Sequence, residues 1–401
     1  MHGFGLIFGA KVWGHHSSQA IHSSMPKNFQ KFAKVGVKAK IRLPIQAHLS
    51  LLHGTRELST VRVNGYSLDL KDRLLAHTPF LGDSVSRSAF VKLLSTWRTL
   101  MADMFGIDPL GEKATSRISK SRLDLLLAKK GLAAAVIEAA IEDYAFQMVH
   151  VVQQFLQQKS WQGVERIVIG GGFQQSALGR LAIVQTSALM AAQKIPVQLC
   201  HLHHDADEGG LIGWVHLLPP ELTTQYNALL AVDIGGTNVR CGIVRMQRDK
   251  AVDFSRADVI ERVKWGHAED ANATRREHLV GGMADMLQSL QRKAEKKGLR
   301  LAPFVGISCP GLINADGSLS NGTQNLPGNW ESARFHLPEN LSQRLPKIDG
   351  QTTQVRLHND AVVQGLSQLP LMEDVKKWAV LTIGTGLGNA SFSNRKRPLV
   401  F

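Results

Sequence analysis

Cysteine is scarce in this 401-residue chain. Cys200, Cys241 and Cys309 are odd in number, far apart and set in apolar, strand-like surroundings, which argues against a disulfide scaffold. They read as reduced core residues of a cytoplasmic protein. No apolar run approaches the roughly 20 residues that a membrane-spanning helix requires, so a soluble protein without a membrane partner is expected. Acidic residues are missing ahead of Glu57, whereas eight basic ones, from Lys11 to Arg56, account for 8 of the 14 excess positive charges. This basic N-terminal extension, residues 1–56, has no clear periodicity. It reads as a solvated, partly disordered segment, or as a start placed ahead of Met25; phosphate or nucleic-acid affinity and a targeting peptide stay open. No helix-turn-helix, zinc finger or base-reading motif is present, and no specific nucleic-acid partner is expected.

What the chain does have is a pair of strand–glycine-turn–strand units. The apolar run Ala228 to Val232 enters Asp233-Ile234-Gly235-Gly236-Thr237-Asn238 and returns as Val239 to Val244. A buried strand that ends in Asp and turns on paired glycines presents a carboxylate and backbone N–H groups to phosphates and a metal. Near the far end, Trp378 to Ile383 enters Gly384-Thr385-Gly386-Leu387-Gly388 and a short strand, Ala390 to Phe392. Between the two lies Asn359-Asp360, after a predicted strand at Gln354 to His358.

The length and the 44% hydrophobic content suit two or three domains with sizeable cores. Residues 60–150 read as mainly helical after a short strand at Thr60 to Val63, with a long helix over Leu132 to Gln158. From residue 227 onward, strands alternate with helices: a helix over Arg275 to Lys297, then strands at Pro303 to Ser308 and Gln354 to His358. That alternation predicts an α/β fold with mixed sheets.

The DIGGTN turn, the stretch from Cys309-Pro310-Gly311 to Asn325-Leu326-Pro327-Gly328-Asn329-Trp330, the His358-Asn359-Asp360-Ala361 turn and the GTGLG turn resemble the ROK family of sugar kinases and sugar-responsive regulators. They follow the family order from about residue 227 to 395. The resemblance implies a two-lobed actin-like ATPase (ribonuclease H-like) fold. The chain ends too soon after the GTG turn to complete the family's second lobe. The missing part resembles the segment at the front: Glu165 to Phe173 is similar to the adenosine-side strand and its Gly170-Gly171-Gly172 turn. A helix at Ser176 to Lys194, a strand at Pro196 to His201, and Asp207 to Trp214, which resembles the closing helix, follow. A circularly permuted member is therefore expected, with 57–218 plus 376–401 as the nucleotide-side lobe, 219–226 as a connector whose prolines mark the helix end, and 227–375 as the first lobe. Completion of the lobe by swapping within a homodimer is the alternative.

The resemblance also implies the chemistry. Asp360 matches the catalytic aspartate, the alternative for it being a helix N-cap. Asp233 would hold Mg²⁺ directly or through water. Gly235, Gly236, Thr237 and Asn238 would shape one phosphate turn, and Gly384, Thr385 and Gly386 the other; ordinary hairpin glycines are the competing reading. Gly170, Gly171 and Gly172 would let the backbone approach adenine or ribose, a tight strand–helix turn being the competitor. Asn325, Asn359 and Asp360 would hold the sugar.

Three departures from the family pattern stand out. His358 replaces a common acidic residue, Asn389 replaces a glycine, and the second-lobe sugar-binding Glu and His have no counterpart. The pocket is thus looser, altered or remade from the 60–110 region. The family's cysteine-rich zinc cluster is absent too, so no structural zinc is expected, and His201 to Asp205 reads as a polar strand end rather than a metal site. The expected activity is ATP- and Mg²⁺-dependent phosphorylation of a hexose, glucose or a related aldohexose, by a glucokinase-like enzyme. The rival is a sugar- or nucleotide-sensing protein without turnover.

Overall fold

The computed structural model describes residues 52–71 and 80–395, so residues 1–51 of the expected basic extension lie outside the described residues. The described residues begin with β1 (Val61–Tyr66), α1 (Arg87–Phe105), α2 (Lys120–Ala128) and α3 (Leu132–Leu156). Then come β2 (Arg166–Gly170), α4 (Ala177–Ala192), β3 (Gln198–His201), α5 (Gly209–Ile212) and α6 (Pro220–Gln225). The hairpin β4 (Ala228–Ile234) and β5 (Val239–Arg245) continues into β6 (Asp258–Trp265), α7 (Arg276–Lys296) and β7 (Leu301–Cys309). Two small ribbons flank α8 (Leu337–Arg344): β8 (Leu312–Ile313) with β9 (Leu319–Asn321), and β10 (Lys347–Ile348) with β11 (Gln351–Thr352). The described chain closes with β12 (Gln354–Asn359), α9 (Asp360–Leu366), β13 (Lys377–Ile383) and β14 (Leu387–Asn394).

Local chemistry accounts for the element ends. Ser86 caps α1, its Oγ accepting from the Ala89 N–H at 3.1 Å, and Gly106 ends that helix at a φ of 68°, a conformation open to glycine. The apolar residues of α3 recur at helical spacing, and twelve of its side chains are buried. The connector forms a short helix, α6, rather than a plain link. Pro220 sits in its first turn, where a fixed φ and a missing N–H fit, and the helical segment before it stops at His216, ahead of Pro219.

Two five-stranded sheets result. One runs β12-β7-β4-β5-β6, with β7 buried at every position between two parallel neighbours. The other runs β1-β14-β13-β2-β3. In it the late strand β13 pairs in parallel with β2, Trp378 opposite Arg166, and β14 pairs antiparallel with β1. The last described residue, Arg395, donates its N–H to Thr60 O at 2.9 Å. The fold is thus α/β with mixed sheets.

Three clusters of buried side chains layer the molecule. The outer face of the β4-containing sheet packs against α7 and α8. The outer face of the β13-containing sheet packs against α1, α3 and α4. Between the sheets, α5 and α9 share a cluster with Leu229 and Phe304 of one sheet and Val380 and Phe392 of the other. Glycine permits this close crossing: a Cβ on Gly213 would lie 1.8 Å from Val363 O, and one on Gly306 would lie 2.1 Å from the Trp214 ring. Trp214 is also pinned, its Nε1 donating to Ser308 Oγ at 3.0 Å.

The sequence boundary at residue 56 shifts. Gly54 donates its N–H to Leu357 O at 3.0 Å, Leu357 N–H donates to His53 Nδ1 at 3.0 Å, and the Arg56 guanidinium lies over the Tyr66 ring. Residues 53–56 therefore cover the edge strand β12, whose unpaired backbone groups require partners.

Candidate active site

The C-terminal ends of β4 and β13, the start of α9 and the turn after β2 converge on one cavity of about 490 Å³. Asp233, Gly235, Gly236 and Thr237 line it, as do Gly384, Thr385 and Gly386, Gly171 and Gly172, and Asn325, Asn359 and Asp360. Of the residues singled out from sequence, Gly170 and Asn238 are the two that do not reach its wall. Asn238 turns its Nδ2 back onto Thr237 Oγ1 at 2.8 Å, and its carbonyl closes the turn by accepting from the Gly235 N–H at 2.9 Å.

The glycines divide by what their neighbours demand. Gly171 has φ 84°, and a Cβ there would meet Ile383 O at 2.2 Å, so backbone shape and packing both require glycine. At Gly171 the tight-turn reading accounts for the residue. A Cβ on Gly386 would meet nothing within 4 Å, and one on Gly384 would come no closer than 3.9 Å to Gly386 O. Neither fold nor neighbours explain those two, and the free space belongs to the cavity. The two glycine turns face each other: the Cβ position on Gly236 lies 3.7 Å from Thr385 Oγ1 and 3.0 Å from Asn325 Cβ.

The helix cap falls to Asn359 and not to Asp360. Asn359 Oδ1 accepts from the Val362 N–H at 3.2 Å, and its Nδ2 donates to Gly311 O at 3.0 Å. Both ends of that carboxamide are engaged in structure. Asp360, released from capping, accepts from the Ala361 N–H at 2.8 Å and shows a partly exposed face to the cavity. Burial, then the charge of Asp233, pushes its carboxyl up to about 6. A carboxylate near that value is ionised at neutral pH yet basic enough to take a proton.

Asp233 is also raised by burial, against the pull of Arg240. Arg240 stands opposite it in the hairpin register and donates to Asp233 Oδ2 at 3.2 Å and to Asp207 Oδ1 at 2.5 Å. Burial would raise Asp207 as well, but Lys264 and Arg240 hold it below the usual range. Arg240 and Asp207 escaped the sequence reading. The first was accessible from hairpin arithmetic, since counting outward from the 235–238 turn sets Asp233 against residue 240.

From the 60–110 region, Leu68, Asp69, Phe80 and Asp83 stand in the cavity wall. Asn389, in place of a glycine, donates from Nδ2 to Leu68 O at 3.2 Å and accepts from the Leu68 N–H at 3.0 Å, fastening that segment. His358 faces inward: its Nε2 donates to Thr55 O at 2.8 Å, Nδ1 accepts from the Asn359 N–H, and burial lowers it to about 4. His201 and His204 bond to Gln174 and Ser367. No three His, Cys, Asp or Glu side chains converge as a metal-binding group among the described residues, and all three cysteines are unpaired. No described helix is long and apolar enough to cross a membrane.

The residues present fit a magnesium nucleotide. Asp233 offers a hard oxygen ligand, and Mg²⁺ commonly takes one or two carboxylates together with substrate phosphates and water rather than an all-protein cage. The open glycines supply room for the backbone to approach a phosphate chain.

Among solved structures, Lmo2764 of Listeria monocytogenes, a candidate N-acetylmannosamine kinase, matches with 24% identity over 42% of this chain and 47% of its own, at a TM-score of 0.30. A candidate sugar kinase from Cytophaga hutchinsonii matches with 20% identity over 41% of this chain and 47% of its own, at 0.31. An Aquifex aeolicus PPX-GPPA enzyme matches with 11% identity over 57% and 83%, also at 0.31. The chain spans a little under half the length of the first two, and at these scores the likeness carries no argument about the fold. No curated protein matches the chain. The ROK family profile matches residues 229–397. That segment, which holds the DIGGTN hairpin, Asp360 and the GTG turn, is similar to the ROK family.

Proposed function

We propose that this chain is an ATP-dependent sugar kinase, a glucokinase-like phosphotransferase acting in the cytoplasm on a hexose such as glucose or a related aldohexose. The observation that carries the reading is Asp360, a carboxyl raised to about 6 in the same cavity as Asp233 and both glycine turns. Asp360 accepts the proton of a sugar hydroxyl as that oxygen attacks the γ-phosphorus, and the bond to the departing ADP breaks. Asp233 would hold Mg²⁺, which would supply positive charge to neutralise the phosphates. The turns at Gly235 to Thr237 and Gly384 to Gly386 orient the phosphates, Gly171 and Gly172 border the adenosine, and Asn325 bonds sugar hydroxyls. Purified protein with ATP, Mg²⁺ and a panel of sugars should release ADP only when an acceptor sugar is present, and Asp360→Asn should remove nearly all of it. Equal ADP release with and without every sugar would defeat the reading.

The same proposal includes circular permutation. It is supported by β2 pairing with β13, by the Arg395–Thr60 hydrogen bond, and by the short α6 link from α5 toward β4. A second reading, a sugar or nucleotide sensor without turnover, is favoured by Asn359, whose carboxamide is already engaged with Val362 and Gly311. Ligand-induced thermal shifts without ADP release would select it.

A further inference from the structure

Gln364 lies in the cavity wall one helical turn after Asp360, so both side chains leave the same face of α9. The residue is 7% exposed, and its Oε1 is buried without a hydrogen-bond partner. Leaving a buried carboxamide oxygen unpaired destabilises a fold, and a leucine would occupy the same space without that penalty. Its surroundings are nevertheless shaped around it. A Cβ on Gly170 would fall 2.2 Å from Oε1, and one on Gly209 would fall 3.1 Å from Cγ, so glycine on two walls makes room for the amide. This accounts for Gly170, which does not reach the cavity itself: it lets Gln364 do so.

The position of the slot narrows what the amide meets. Gly170 opens the triple-glycine turn after β2, whereas Gly210, the residue after Gly209, packs on Asp233, its Cβ position 2.8 Å from the carboxyl carbon. Gln364 therefore stands between the turn assigned to adenosine and the two carboxylates, where a nucleotide's phosphate chain would lie. We propose that Gln364 is a nucleotide-binding residue whose carboxamide holds the metal-bearing polyphosphate of a nucleoside di- or triphosphate. Phosphate oxygens only accept and metal-bound water donates; a carboxamide has one group for each and exchanges its two ends by a half-turn. The inference rests on the kinase reading of the cavity.

The test combines calorimetric titration with MgADP and AMP and thermal melts of unliganded protein, for the natural chain, Gln364→Leu, Gln364→Asn and Gln364→Glu. Removing an orphaned polar group should leave the unliganded melting temperature of the leucine variant equal to or above that of the natural chain. Its MgADP affinity should fall about tenfold, the size of one lost hydrogen bond to a charged group. The glutamate variant should bind more weakly still at pH 8, because its charge opposes the phosphates. AMP affinity should change less than threefold throughout. The asparagine variant, which keeps the amide but not its reach, should also lose MgADP affinity and supplies the comparison if the leucine variant misfolds. MgADP affinities within twofold of the natural chain in all folded variants, or equal losses for AMP and MgADP, would overturn the proposal. Failure of the natural chain to bind MgADP would instead refute the kinase reading beneath it.

Discussion

Replacing Asp360 by Asn should stabilise the unliganded protein at alkaline pH while abolishing turnover. Burial and the neighbouring Asp233 charge lift this carboxyl from 3.8 to about 6, so the folded chain holds the proton more tightly than the unfolded chain does. The resulting stability is complete below about pH 4 and disappears as pH rises through about 6. At ~1.36 kcal/mol per pKa unit, the difference sets a ceiling of about 3 kcal/mol. The cavity-facing edge of the carboxyl admits solvent screening, which brings the expectation to about 1–2 kcal/mol. Asparagine keeps the acceptor for the Ala361 N–H and never ionises. Urea denaturation should therefore show Asp360→Asn more stable than the natural chain by that margin at pH 8 and equal to it at pH 4. An equal offset at both pH values, or a loss at pH 8, would refute the electrostatic argument. In the natural chain, kcat/KM for a sugar should decline as pH falls through about 6.

Arg240 links two carboxylates whose side chains are each under one-fifth exposed, so Arg240→Gln should cost about 3 kcal/mol at pH 8 and less as the pH is lowered, because burial raises Asp233 and eases its protonation; denaturation across a pH series measures both. Gly386→Ala, with open space around its Cβ, should leave the melting temperature within a degree or two yet weaken MgADP. Gly171→Ala should lower stability by at least about 1–3 kcal/mol, since it meets both a left-handed φ and Ile383 O. A rearranged chain that runs from Asn227 to Arg395 and passes through a short turn into Thr60 to Gln225 should fold with a single cooperative melt, lower than that of the natural chain because it lacks the residues 53–56 that cover β12. Insoluble product or a non-cooperative melt would count against the permuted reading.

The legible parts of the fold are those written in local chemistry. Apolar runs flanking glycine turns marked the β4–β5 and β13–β14 hairpins, and uninterrupted helical spacing marked α3 and α7 within a residue or two of their ends. Assigning the α9 cap required knowing which of two adjacent cap-forming residues keeps an extended backbone; Asn359, at φ −63° and ψ 140°, does so. Pro219 and Pro220 follow the helical segment that stops at His216, and Pro220 also opens α6, because proline suits a first helical turn. Gln364 was invisible for a different reason: its distance from Asp360 along α9 is local information, but the glycines that shape its slot come from residues 170 and 209. Only the tertiary fold brings them together. Likewise, the docking of His53 and Gly54 on β12 depends on an edge strand some 300 residues later.

Pairing β2 with β13 has a consequence for the newborn chain on the ribosome. The apolar strand Ile167 to Ile169 emerges with one flank awaiting a partner that is translated about 200 residues later, a delay of roughly 10–40 s at ordinary elongation rates. By the end of that interval the β4-containing sheet has acquired all its strands, while its companion is still missing the centre. Nascent chains halted before Lys377 should therefore attract hold-type chaperones through the region around residue 167, and release should coincide with synthesis of the final two strands.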